Sequence, residues 1–265
     1  MSGVPVVIVT ANHARHRWFA AQLVAAAELE IRGVVSEAKR ASTQQSSPDQ
    51  PPLVQRHFEA RAATEQRHFG GAPDWDELGA PVLELPFGES NGAGAFAWVS
   101  DLEPTHLLLL GCSIIRAPLL ERYALQTVNT HLGLSPYFRG AATNFWALEH
   151  GKPECVGATI HLATTSVDAG PTLRQVRPQL EAADDLHDVG CKALAAAAEV
   201  LPATLAAYAE GTLEPTPQPP GGLLFRSADF DEAALARALE RLRAGLVRDY
   251  LAFKATRDAA YPIVG

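Results

Sequence analysis

The sequence predicts an α/β fold: a largely parallel sheet flanked by helices, with a small helical extension at the C-terminal end. Short β-branched apolar runs alternate with stretches of helical spacing, the order expected of repeated strand–helix–strand units. The strand-like runs are apolar throughout, as strands buried on both faces are. Beyond a Pro/Gly/Thr-rich stretch at 211–222, residues 231–253 set Ala and Leu against an Arg/Glu face and read as one amphipathic helix.

In order, residues 4–10 (VPVVIVT) are a buried strand, 17–29 an Ala-rich helix and 31–36 a second strand. Residues 37–55 are polar, rich in Ser, Gln and Pro, and aperiodic; they are expected to form a mobile surface loop. A helix at 54–69, a strand at 81–86 and a helix at 93–101 follow. Residues 106–110 form a continuous apolar strand ending in Gly111-Cys112-Ser113, then a short helix at 117–123 and a strand at 125–129. A helix at 141–150 carries Phe145 and Trp146, and strands at 158–163 and 172–177 are joined by a connection containing Asp168-Ala169-Gly170. Residues 184–210 are an Ala/Leu-rich helix whose acidic start suits the helix dipole. The expected division is one domain over 1–210 and a linker with helical extension over 211–265, without internal repeats.

At 265 residues, with 47% hydrophobic and 20% charged residues, the chain reads as an ordinary globular protein. A net charge of −8 argues against a nucleic-acid surface as its main business. Cys112, Cys155 and Cys191 show no paired spacing, so neither a disulfide framework nor a zinc site is expected. No apolar run approaches membrane-spanning length and the N-terminus lacks a signal-peptide pattern, so a cytoplasmic location without membrane association is expected.

Asn12, His13, Arg15 and His16 stand between the first strand and first helix, where a phosphate loop would sit. The usual glycines are missing, and a solvated N-cap region explains the same residues. His13 and His16 lack a third metal ligand nearby in sequence, and no metal is expected. Gly92-Ala93-Gly94 reads as a loop before a helix, since it lacks the third glycine of a dinucleotide fingerprint. Asn129 and His131, two apart on an extended segment, leave the same face. Taken singly they could be a turn-stabilising amide and a hydrogen-bonded core imidazole. Together with Asp168 they form a set able to stabilise an oxyanion and move a proton.

Four ordered elements carry a resemblance: Asn129-Thr130-His131; Leu134-Ser135-Pro136-Tyr137-Phe138-Arg139-Gly140; Gly157-Ala158-Thr159-Ile160-His161; and Asp168-Ala169-Gly170. With the preceding residues 107–115 (LLLLGCSII), they resemble the folate-dependent formyltransferase family, closely over about 100–210 and weakly before that. The loop after His131 departs from the family's Pro-Ser-Leu-Leu-Pro, reading Leu132-Gly133-Leu134-Ser135-Pro136.

The resemblance implies a Rossmann-like fold, a catalytic domain over 1–210, and 10-formyltetrahydrofolate as formyl donor. It implies Asn129, His131 and Asp168 as the catalytic trio, with Asn129 and a protonated His131 donating to the oxyanion and Asp168 favouring the imidazolium. Ser113, Ile114, Ile115, Leu134, His161 and Gly170 would bind the folate, Gly170 by letting the backbone approach a flat heterocycle. The acceptor is expected to be a small-molecule amine, such as a nucleotide-linked amino sugar or a natural-product amine, met by Asn12, His13, Arg15 and Arg139. A homodimer is compatible with this reading. The glycine-rich phosphate loop of glycinamide ribonucleotide transformylases is missing, and the short mixed-charge tail disfavours tRNA and so a methionyl-tRNA formyltransferase-like enzyme. A 10-formyltetrahydrofolate hydrolase and a non-catalytic nucleotide-binding module are the other readings.

Overall fold

A computed structural model describes residues 3–39 and 47–265. Five parallel strands come first: β1 (Val4–Ala11), β2 (Leu29–Glu37), β3 (Val82–Leu85), β4 (His106–Leu110) and β5 (Thr127–His131). β6 (Phe138–Gly140) lies outside this sheet, and β7 (Ala158–Leu162) and β8 (Thr172–Val176) extend it antiparallel beyond β5, giving the order β3-β2-β1-β4-β5-β7-β8. The fold is Rossmann-like, and its strand order reverses at β1, the position where open α/β sheets hold ligands beyond the carboxyl ends of the strands.

β1 explains why its sequence is apolar without alternation. Val6 and Ile8 pack with Phe19 and Leu23 of α1 (Ala14–Val24) and with Leu194 and Leu201 of α6 (Leu186–Ala209). Val7 and Val9 face the opposite layer, with Val99 of α3 (Ala93–Asp101). α1 is shorter than its periodicity suggests, because the apolar pattern runs on into Leu29, which is buried as the first residue of β2. α2 (Pro52–Phe69) starts inside the stretch expected to be a loop, and Glu37 at its beginning closes β2. Residues 40–46 of that expected loop lie outside the described residues.

β5 lies two residues later than expected. Leu125 looked like its apolar start, but it has φ +63° and is 68% exposed in the turn after α4 (Leu119–Arg122). Asn129 and His131 therefore sit within a hydrogen-bonded strand. α5 (Thr143–Glu149) follows β6. α6 is capped by the Asp185 side chain, which accepts from His187 N at 2.7 Å and Asp188 N at 2.8 Å. By length and composition α6 meets the requirements of a membrane span, contrary to expectation; 56% of its apolar window is buried inside the protein, against the sheet, α1 and α2.

The C-terminal region differs most from expectation. Thr216 of the supposed linker bridges to Thr172 of β8, and β9 (Leu223–Phe225) pairs with β6 in a separate two-stranded sheet. The single expected helix is divided at Gly245, which has φ +95°. α7 (Glu232–Arg243) precedes it; α8 (Leu246–Ala252) and α9 (Lys254–Ala259) follow. Leu235, Ala238, Val247 and Tyr250 of α7 and α8 share a core with Phe145, Trp146 and Leu148 of α5.

Candidate active site

Antiparallel pairing of β5 with β7 sets Asn129 directly opposite His161 and His131 opposite Thr159. The loop after β7 returns Asp168 to the same place in a left-handed conformation, φ +48°. Gly170 makes that return possible: a Cβ there would lie 1.9 Å from the Leu162 carbonyl oxygen. Its close backbone approach is thus to β7, where the sequence suggested a flat heterocycle.

Every near neighbour of the Asp168 carboxylate is a donor or a ring nitrogen. Oδ2 accepts the Gly140 N–H at 3.0 Å and lies 3.3 Å from His131 Nδ1. Oδ1 accepts from Asn129 Nδ2 at 3.3 Å and lies 3.6 Å from His161 Nε2. Asn129 Nδ2 also donates to His161 Nε2 at 3.0 Å, while His161 Nδ1 faces the Leu162 carbonyl at 2.9 Å, so His161 carries its proton on Nδ1. Both Nδ2 hydrogens of Asn129 already have acceptors. A substrate oxygen would compete with the longer of these contacts, the one to Asp168.

Burial works against ionisation of Asp168, but His131 and the Gly140 N–H outweigh it and hold its pKa down at about 2. His131 is buried, and burial pushes its pKa below 6.5 although Asp168 and the Phe138 carbonyl oppose the shift. The ring therefore favours the neutral form near pH 7, whereas the sequence suggested an imidazolium. Both of its nitrogens nonetheless face acceptors. Nε2 lies 3.2 Å from the Phe138 carbonyl and 3.3 Å from Thr143 Oγ1, whose own hydrogen goes to the Leu132 carbonyl at 2.5 Å. A proton arriving on His131 has somewhere to point.

These groups line one wall of a cavity of about 720 Å³ beyond the carboxyl ends of β1, β4 and β5. Of the residues expected to bind ligands, Ser113, Ile114, Ile115, His161 and Arg15 also line it. Ile114 and Val167 leave apolar side chains 53% and 46% exposed there. The other expected residues stand away from the lining. Leu134 is fully buried against Gly157, and Gly170 is flush with β7. Asn12 is exposed, its carbonyl accepting from Arg17 at 3.3 Å; His13 packs beside His16 with ring centroids 5.8 Å apart. Arg139, on β6, has its Nε buried without a hydrogen-bond partner.

Sequence reading found Arg15 but missed Arg61 and Lys39, the rest of the cationic end of the cavity. Arg15 Nη1 meets Glu65 Oε1 at 2.9 Å and Arg61 Nε meets the same oxygen at 2.8 Å; Lys39 lines the cavity beside them, donating to the Gly111 carbonyl. Burial, then Arg61, pull the Arg15 pKa down to about 10, with Glu65 opposing them. The one local signal was the four-residue spacing of Arg61 and Glu65 on α2. Phe225, Arg226 and Ser227 also reach the cavity, carried there by pairing of β9 with β6, and the Phe225 ring stacks on Trp146 at 4.3 Å.

Residues 96–205, which supply the trio, the 111–115 loop and most of α6, match the family model described as formyl transferase. Over those residues this chain is similar to the formyl transferase family. The methionyl-tRNA formyltransferase of Myxococcus xanthus is 36% identical to it over 112 residues, 42% of this chain and 36% of that protein. The matched stretch is thus about a third of the curated relative's length. Among solved structures, phosphoribosylglycinamide formyltransferase from Anaplasma phagocytophilum superposes with a TM-score of 0.58 at 16% identity, over 84% of this chain and 98% of that one. An N-formyltransferase from Helicobacter canadensis, solved with folinic acid and dTDP-3-aminofucose, gives 0.55 at 13% identity, over 90% and 80%. At these identities the likeness is one of fold.

Proposed function

We propose that this protein is a 10-formyltetrahydrofolate-dependent N-formyltransferase acting on a small-molecule amine. The observation that carries the reading is the convergence of Asn129, His131 and Asp168 within 3.3 Å contacts on one cavity wall. The cavity suits a folate on its own terms: apolar Ile114 and Val167 stand beside the polar backbone of a loop at Ser113. When bound, the donor supplies an activated formyl group on a nitrogen.

The remaining requirements fall on the chain. An oxygen that gains charge as the amine attacks needs donors, which Asn129 Nδ2, in place of its contact with Asp168, and His131, once it carries the amine proton, can supply. The amine must lose a proton and the departing folate nitrogen must gain one. His131, neutral at rest, takes the first and returns it to the second, while ionised Asp168, 3.3 Å from Nδ1, offsets the charge in between. The proton count balances: the new N–C bond forms as charge moves onto the oxygen, and the bond to the folate nitrogen breaks as that charge returns to re-form the carbonyl.

On the acceptor side, Arg15, Arg61 and Lys39, all lining one end of the cavity, favour an amine that also carries a phosphate or carboxylate, as a nucleotide-linked amino sugar does. We also propose a cytoplasmic location, in keeping with three free cysteines. The test is tetrahydrofolate release from 10-formyltetrahydrofolate, alone and with a panel of amino sugars, amino acids, nucleotide-linked amines and methionyl-tRNA. Amine-dependent release supports the proposal. Amine-independent release makes the protein a hydrolase, turnover only with tRNA moves the acceptor to methionyl-tRNA, and lack of folate binding defeats the reading.

A further inference from the structure

Glu37 and Asn91 do not line the cavity, yet between them they hold a loop that does. Glu37, the last residue of β2, is 1% exposed. Its Oε2 accepts the Ser113 N–H at 2.8 Å. Its Oε1 accepts the Ser113 hydroxyl at 2.9 Å, the Gly88 N–H at 2.8 Å and the Ser90 N–H at 3.3 Å. One carboxylate thus gathers four donors from two separate segments. By fixing the short turn Glu89–Asn91 it also fixes Asn91, whose Oδ1 accepts the Arg116 N–H at 2.7 Å and whose Nδ2 donates to the Ile114 carbonyl at 3.0 Å. The loop from 113 to 116 is therefore pinned at Ser113, Ile114 and Arg116 by side chains that approach from behind the cavity.

We infer that Glu37 and Asn91 are positioning residues for the formyl donor, setting the Ser113–Ile115 backbone on which the folate ring rests. This rests on the donor reading above. A loop already held in shape has lost its conformational freedom before the ligand arrives, so binding does not bear that cost. Loosening it weakens the donor equally in the bound ground state and in the transition state, which raises the donor KM and leaves kcat in place.

Glu37→Gln keeps the side-chain shape but turns an NH2 group toward either Ser113 N–H or the Gly88 and Ser90 N–H groups. The expected result is a donor KM raised about tenfold, the size of one unmade buried hydrogen bond, with kcat and acceptor KM unchanged. Asn91→Ala, which removes a less buried pair of contacts, raises donor KM about threefold and serves as the test should E37Q fail to fold. Amide hydrogen exchange at residues 113–116 accelerates in either variant, while exchange in β1 and β4 does not. An unchanged donor KM in the folded variants, or donor and acceptor KM rising together, overturns the inference. The two readings fail separately. Lack of folinic acid binding by the unmodified protein defeats the donor assignment, and unchanged exchange at 113–116 defeats the clamp.

Discussion

Asp168→Asn is the sharpest perturbation available, because it changes charge while nearly preserving shape. Its four neighbours are the Gly140 N–H, Asn129 Nδ2 and one nitrogen each of His131 and His161. An amide NH2 placed on either side meets a donor. One unmade contact of this kind costs roughly 1–3 kcal/mol, and with an unfolding entropy near 2.1 cal/mol/K per residue over 265 residues the midpoint falls by about 2–5 °C. Linkage gives an independent figure. The Asp168 pKa is lowered from 3.8 to about 2, so its ionised form stabilises the fold by roughly 2 kcal/mol above pH 4. Because the folded-state pKa is the lower one, that contribution is lost as pH falls from about 4 through 2, and over this window the variant and the unmodified protein converge in stability. Turnover is a larger effect. Without the carboxylate a proton on His131 is uncompensated, and kcat falls by roughly 10²–10⁴, the range for acid–base groups. Tetrahydrofolate release at saturating amine, beside a thermal melt, measures both. A folded variant with kcat within threefold of the unmodified protein refutes the role of Asp168.

The pH profile follows from His131. It must be neutral to take the amine proton, and burial lowers its pKa, so kcat/KM has its acid limb below pH 6.5; removing Asp168, which opposes the lowering, moves that limb to still lower pH. An acid limb at or above 6.5 contradicts this. Arg15→Ala raises acceptor KM about tenfold and leaves donor KM unchanged, measured by titrating each substrate in turn; an unchanged acceptor KM detaches Arg15 from the acceptor. Gly170→Ala sets a Cβ 1.9 Å from the Leu162 oxygen, so the turn carrying Asp168 must shift. Turnover drops by about 10² without a change in any reacting group, and wild-type kinetics would show that the turn tolerates the displacement.

Much of the fold was legible because its determinants are local. Val6 to Val9 are all apolar since both faces of β1 are covered, and Asp185 marks the start of α6 by capping it. Misreadings arose where a residue's type and its burial part company. Leu125 is apolar yet exposed in a turn, which displaced β5 by two residues. Leu29 belongs to a strand although it extends the helical pattern of α1. β9 could not be read from a three-residue run whose strand partner, β6, lies more than eighty residues earlier. Arg61 and Lys39 carried no motif, because only the folding of α2 and the end of β2 toward the cavity gives them a common neighbourhood.

The sequence by itself determined which chemical groups are present and how they alternate. The period of two in a strand puts Asn129 and His131 on one face wherever that strand lies, and the order of the motifs carries Asp168 with them. The tertiary structure decided what those groups do to one another. The spent amide hydrogens of Asn129, the depressed pKa of His131 and the ionised state of Asp168 all depend on burial and on contacts made across the sheet. So does the carboxylate of Glu37, an ordinary strand-end residue until Ser113 and Ser90 are folded onto it. Hydrogen bonding and desolvation act through space, and a linear pattern contains neither.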